Sequence, residues 1–156
     1  MQPFDKEYVC DIAKQILNID SPTGYTKRAI DFMDEEAKKL GYTTGRNQKG
    51  NLLIYVDGKD SEHTLGLSAH LDTLGLMVRS IKDNGKLAIT KVGGPCLPTL
   101  DGEYCKIYTR DGKVYTGTIL SCSPKRTRIS RCFNIRKKSK IQWKFVLMKL
   151  FTQKQM

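Results

Sequence analysis

No aspartate or glutamate follows Asp111, and no histidine follows His70, in a chain of 156 residues. These two absences carry different consequences. Without late acids the charge is segregated: residues 1–122 balance 16 Lys+Arg against 16 Asp+Glu, whereas residues 123–156 hold 11 Lys+Arg and no acid, so the net +11 lies wholly in the last 34 positions. A neutral body therefore carries a basic tail. The tail also lacks glycine and alanine, although the body holds all 13 glycines, so the two segments answer to different constraints. Without late histidines, any metal chemistry in the second half would have to do without imidazole. No uninterrupted apolar run approaches the length of a membrane span, and the opening MQPFDKEYVCDIAKQ has charges throughout in place of the apolar core of a signal peptide. The expectation is a cytoplasmic protein. The five cysteines, at 10, 96, 105, 122 and 132, form no CxxC pair, which excludes a zinc knuckle or redox dithiol and points to reduced thiols.

What is present begins with helices. Val9, Ile12, Ile16 and Leu17 recur at spacings of three and four, predicting an amphipathic helix over residues 4–18 with Asp5 as N-cap. The loop DSPTG breaks it. Ile30, Met33, Ala37 and Leu40 predict a second helix over residues 25–40, stopped by Gly41. Short strands are expected at residues 42–46 and 51–56. The order helix, helix, strand, strand, strand opens an α/β layer, with a hydrophobic content of 39% adequate for a core.

The third of those strands is the centre of the chain. In HTLGLSAHLDT, the small apolar run over residues 64–69 predicts a buried strand that ends in His70-x-Asp72. Residues two apart in a strand share a face, so His70 and Asp72 would project together beyond the strand's end, where open α/β sheets place ligands. A neutral imidazole can bind a zinc-like ion through one nitrogen while a carboxylate fixes the other. His63, ahead of the strand, reads as a solvated turn residue. Beyond Thr73 the texture changes to LGLMVRSI, KLAITKV, EYCKIYT and KVYTGTIL, four strands joined in pairs at Asn84-Gly85 and Asp111-Gly112. They predict a small antiparallel β module that closes into a barrel only if more strands follow. Gly93, Gly94, Pro95 and Pro98 read as a turn between its halves, not as a phosphate loop.

The segments SPTGY, AHLDTLG, DNGK and YTGTIL, in this order, closely resemble the tetrahedral (TET) aminopeptidases, the glutamyl-aminopeptidase and so-called endoglucanase family of co-catalytic metallopeptidases. The likeness covers residues 1 to about 124. It implies the N-terminal part of an αβα zinc-peptidase-like catalytic domain (residues 1–73), then part of a small antiparallel β-barrel domain used in oligomer assembly (74–122); the basic tail (123–156) is unrelated to both, and its abrupt change of composition predicts a segment that is out of frame or disordered. It implies a hydrolase that releases N-terminal residues from peptides with two divalent metal ions, zinc or cobalt, acting as a homo-oligomer. Among its site residues it implies His70 as first metal ligand and Asp72 as the catalytic carboxylate partner. The further ligands and the general base follow the barrel in that family, and nothing after Asp111 can supply them. The expectation is a chain interrupted near residues 121–124 and inactive alone.

Two other functions fit the tail. Arg126, Arg128, Arg131, Arg136, Lys137, Lys138 and Lys140, with Phe133 and Trp143 to stack on bases, could bind nucleic acid or an acidic surface. IQWKFVLMKLF could lie as a helix on a membrane or partner, although its apolar residues spread too widely for a clean stripe.

Overall fold

The computed structural model describes residues 5–60, 62–121, 133–135 and 146–150. It divides into two compact units, Met1–Asp72 and Thr73–Met156.

In the first unit, α1 spans Lys6–Leu17. Asp5 caps it, its carboxylate accepting the Tyr8 backbone N–H at 2.9 Å, which satisfies one of the amides a helix start leaves unpaired. No residue of α1 is buried. The second helix, α2, spans Lys27–Lys39 and buries Ala29 and Ala37. It starts two residues later than the periodicity predicts because Tyr25 N–H is held in a turn by Pro22 C=O. Gly41, at φ +85°, takes the left-handed position that ends a helix without a Cβ penalty. Strand β1 (Thr43–Arg46) then pairs antiparallel with β2 (Leu52–Tyr55), Arg46 opposite Leu52.

A polar cluster fastens this hairpin to α2. Arg46 reaches Asp31 at 2.8 Å and Asp34 at 2.9 Å, while Thr44 donates to Asp34 at 2.6 Å. The Thr44 hydroxyl first, with Lys38 and Arg46, holds the Asp34 carboxyl down at about 2. A carboxyl depressed in the folded state stabilises it fully above the ordinary carboxylate range, and the contribution drains as pH falls toward 2. Acid titration followed by circular dichroism is therefore expected to show α2 loosening below about pH 4, and Thr44→Val should move that loosening to higher pH.

The predicted strand over residues 64–69 does not form. Residues 63–70 have no ladder, and Leu65 and Leu67 are 85% and 91% exposed. A strand needs a neighbour for its N–H and C=O groups and cover for both faces. Among the described residues the first unit's sheet has two strands, and Leu53, Ile54, Tyr55 and Val56 are exposed as well.

The second unit is a six-stranded antiparallel sheet in the order β4-β3-β8-β5-β6-β7. The four strands expected from the sequence are β3 (Gly75–Ile81), β4 (Leu87–Val92), β5 (Tyr104–Thr109) and β6 (Val114–Ser121). Their hairpins turn where Asn-Gly and Asp-Gly stand, with Gly85 at φ +75° and Gly112 at φ +79°. The Gly93-Gly94 stretch is a turn, followed by a short 3₁₀ helix, Leu97–Leu100, that buries Leu100. Leu76, Leu87, Ile89, Leu100, Cys105, Ile107 and Ile119 make the core. Burial pushes the Cys105 thiol up to about 12, and its Sγ donates to Gly117 C=O at 3.3 Å, an inert buried thiol.

The remaining strands come from the basic segment: β7 (Phe133–Ile135) pairs with β6, and β8 (Val146–Leu150) lies between β3 and β5. The outermost strands, β4 and β7, come into contact. The helix considered for IQWKFVLMKLF is thus replaced by strand over 146–150, because β3 and β5 each present an edge whose backbone groups can pair with another strand. Arg126, Arg128, Arg131, Arg136, Lys137, Lys138, Lys140 and Trp143 lie outside the described residues.

Candidate functional site: the His70–Asp72 pair

The pair sits at the end of the first unit, after the exposed segment, and its position is fixed by the loop over residues 20–23. Asp20 and Ser21 are buried, and Ser21 Oγ donates to Leu71 C=O at 2.9 Å. One residue on, Asp72 is held from both sides. Thr23 Oγ1 donates to Asp72 Oδ2 at 2.7 Å, and His70 Nδ1 lies 3.1 Å from Asp72 Oδ1 and 3.2 Å from the Asp72 carbonyl. Both carboxylate oxygens therefore have partners. The Thr23 hydroxyl, more than the His70 ring, holds the Asp72 carboxyl below its ordinary value.

An ionised Asp72 is an acceptor only, so Nδ1 carries the proton toward it and Nε2 keeps its lone pair. The His70 side chain is 85% exposed, which leaves Nε2 open to an incoming cation. This is the carboxylate–histidine arrangement that orients a metal ligand and raises its basicity. The arrangement fits one arm of a metal centre and no more. Among the described residues no group of three or more His, Cys, Asp or Glu side chains could enclose an ion. His63, the other histidine, contacts Asp60 at 2.7 Å, both side chains being well exposed.

Sequence reasoning named His70 and Asp72 but missed Ser21 and Thr23. The signal was present in DSPTG, which reads as a helix break and carries part of the family resemblance, but neither reading gives its hydroxyl residues a role at the site. Thr23→Val is expected to raise the Asp72 titration midpoint toward that of an ordinary aspartate. Carbon-detected carboxyl titration by NMR measures it, and an unmoved midpoint would show that the Thr23 hydroxyl does not set it.

The family profile described as M42 glutamyl aminopeptidase matches residues 50–148. The chain belongs to this family. The match takes in the His70–Asp72 segment and all four expected strands, and it runs past residue 124 into the basic segment. The putative aminopeptidase YhfE of Bacillus subtilis (strain 168) is 43% identical over 110 residues, which is 70% of this chain and 32% of that protein. The glutamyl aminopeptidase of Lactococcus lactis subsp. cremoris (strain MG1363) is 26% identical over 114 residues, 72% of this chain and 30% of that one. The M42 chain thus spans about a third of the length of these relatives. Among solved structures, the aminopeptidase APDkam598 from the archaeon Desulfurococcus kamchatkensis superposes with a TM-score of 0.74 at 22% identity, covering 90% of this chain and 43% of that one. The PhTET1-12s dodecamer gives 0.70 at 21%, covering 92% and 45%. These two likenesses show a TET-type α/β peptidase fold.

Proposed function

We propose that this M42 chain is the N-terminal part of a metal-dependent aminopeptidase that releases N-terminal residues from peptides, that its reading frame has shifted after Ser121, and that the chain alone is inactive. The observation that carries it is the His70–Asp72 contact, with Thr23 holding the Asp72 carboxylate, and no group of three or more possible ligands among the described residues. His70 would give one nitrogen to one of two divalent ions, zinc or cobalt, and Asp72 would hold its ring. When bound, such ions lower the pKa of a water and polarise the scissile carbonyl. This chain's own contribution is the oriented imidazole.

In this reading the first unit is an incomplete catalytic domain, residues 74–122 belong to an oligomerisation domain, and the segment after Ser121 is read out of frame even though the family match continues to residue 148. Assembly of the intact enzyme into a homo-oligomer is supported by a similar protein being a dodecamer, and by another described as assembling into a tetrahedron or an octahedral shell. A cytoplasmic location agrees with the scattered thiols, and among the described residues no helix is long and apolar enough to cross a membrane. A peptide-release assay on the purified chain, with zinc or cobalt added, tests the proposal. The expected result is no release above a metal-only blank. Turnover by the chain alone would overturn its inactivity.

A second reading rests on the 11 Lys+Arg of residues 123–156, a charge suited to phosphates. It requires retention on a nucleic-acid column that falls steeply with salt and disappears when residues 123–156 are removed.

A further inference from the structure

The hairpin of the first unit leaves an edge open. Among the described residues β2 pairs with β1 alone, so the backbone groups on its far side have no strand beside them. Natural edges of this kind carry a lysine, a proline or a bulge that keeps other strands away. Leu52-Leu53-Ile54-Tyr55 carries none of these. Its two faces differ. Residues directly opposite in an antiparallel pair share a face, so Thr44 and Arg46 lie with Leu52 and Ile54 on the face tied to Asp31 and Asp34 of α2. Thr43 and Gly45 lie with Leu53 and Tyr55 on the other, where the Tyr55 ring packs against Gly45 and both Leu53 and Tyr55 stay exposed.

The same unit holds a segment of strand composition that has no sheet. Thr64-Leu65-Gly66-Leu67-Ser68-Ala69 alternates small or polar residues with apolar ones at period two, contains no charge and no proline, and forms no ladder. Just beyond it the chain is anchored, Ser21 Oγ donating to Leu71 C=O and Thr23 Oγ1 to Asp72. The segment stands off its own hairpin, with the Leu65 and Leu67 side chains almost wholly in solvent.

A strand edge and an unpaired strand in one unit complement each other between two copies. We propose that this chain forms a reciprocal dimer in which residues 64–69 of each copy add as a third strand to the β2 edge of the other. Leu65, Leu67 and Ala69 share one face of such a strand, by its period of two. They join Leu53 and Tyr55, and Thr64, Gly66 and Ser68 turn toward the side where Arg46, Asp31 and Asp34 already fill the space beside α2. The added strand gives backbone partners to both segments and places the exposed leucines against apolar neighbours. Both copies use the same two patches, so the interface is two-fold and closed. Every residue it needs lies between positions 43 and 72, so it depends neither on peptidase activity nor on the frame after Ser121.

Light scattering on a size-exclusion column, with the full chain over a concentration series, tests the proposal. The mass is expected to rise toward twice that of one chain and stop there. Leu67→Asp sets a charge on the apolar face. Adjacent N–H groups point to opposite sides of a strand, so Gly66→Pro combined with Leu67→Pro removes one ladder donor whichever way the strand lies. Each variant should raise the dissociation constant about tenfold or more, the size expected from losing a ladder hydrogen bond or a cross-strand leucine contact together with its neighbours. The monomer has room for both changes, since a Cβ at Gly66 meets no atom within 4 Å and Leu67 is 91% exposed, and circular dichroism of the variants should match the parent. Amide exchange over residues 64–69 should slow in the dimer and return to the exposed rate in Leu67→Asp. A monomer at every concentration, association that runs on to larger species, or a dimer indifferent to both variants would overturn the proposal.

Discussion

After dialysis the purified chain should retain less than one zinc or cobalt ion per molecule, and the small remainder should vanish on His70→Ala. A single imidazole, even one oriented by Asp72 at 3.1 Å, supplies one of the three or four protein ligands that a zinc centre needs. Asp31 and Asp34 are tied to Arg46, and Asp60 contacts His63. Metal analysis of the dialysed protein, with His70→Ala and Asp34→Asn as paired variants, measures this. Asp34→Asn should leave the residual binding unchanged, because Asp34 faces the α2–β1 tie. Two ions held tightly per chain would contradict the proposal, since the described residues offer nowhere to put them.

Leu76→Ala should be the most damaging core substitution in the second unit. Leu76 is fully buried on β3, next to the central strand, within the cluster that includes Leu87, Ile107 and Ile119. Truncating a leucine in such a place costs the transfer free energy of the lost methyls and leaves a cavity, together about 2–5 kcal/mol. A small β module has a total stability of only about 5–15 kcal/mol, so the change removes a large fraction of it. Urea unfolding followed by tyrosine fluorescence should show the midpoint falling with little change in slope, whereas Tyr104→Ala on the same sheet, with Tyr104 70% exposed, should leave it nearly unmoved. Equal effects at both positions would mean that the core is not where the structure places it.

Exposed apolar residues in the first unit have a direct bearing on handling. Leu53, Ile54, Tyr55, Val56, Leu65 and Leu67 are all exposed within 15 positions of sequence. A soluble monomer rarely leaves so much apolar surface close together. These residues were read in the sequence as strand interiors, and their composition still says so. What they lack in the structure is the neighbouring strands and helices that would cover them.

Local chemistry was legible without coordinates. The Asp5 cap, the Gly41 stop and the two Asn-Gly and Asp-Gly turns each act through one residue's own φ, ψ or side-chain oxygen, so α1, α2 and the hairpins β3–β4 and β5–β6 fall where the sequence puts them. His70 and Asp72 were legible for the same reason, being two residues apart. Tertiary structure alone decided three things. Residues 64–69 stay out of a sheet because strand formation depends on partners that no local pattern supplies. Residues 146–150 enter between β3 and β5 because two open edges there need backbone partners, whatever side chains arrive. Thr23 reaches Asp72 across 49 positions because the buried loop at Asp20 and Ser21 fixes the site's approach. Dihedral preference and hydrophobic period are carried by each short stretch, whereas pairing and cover belong to the folded chain.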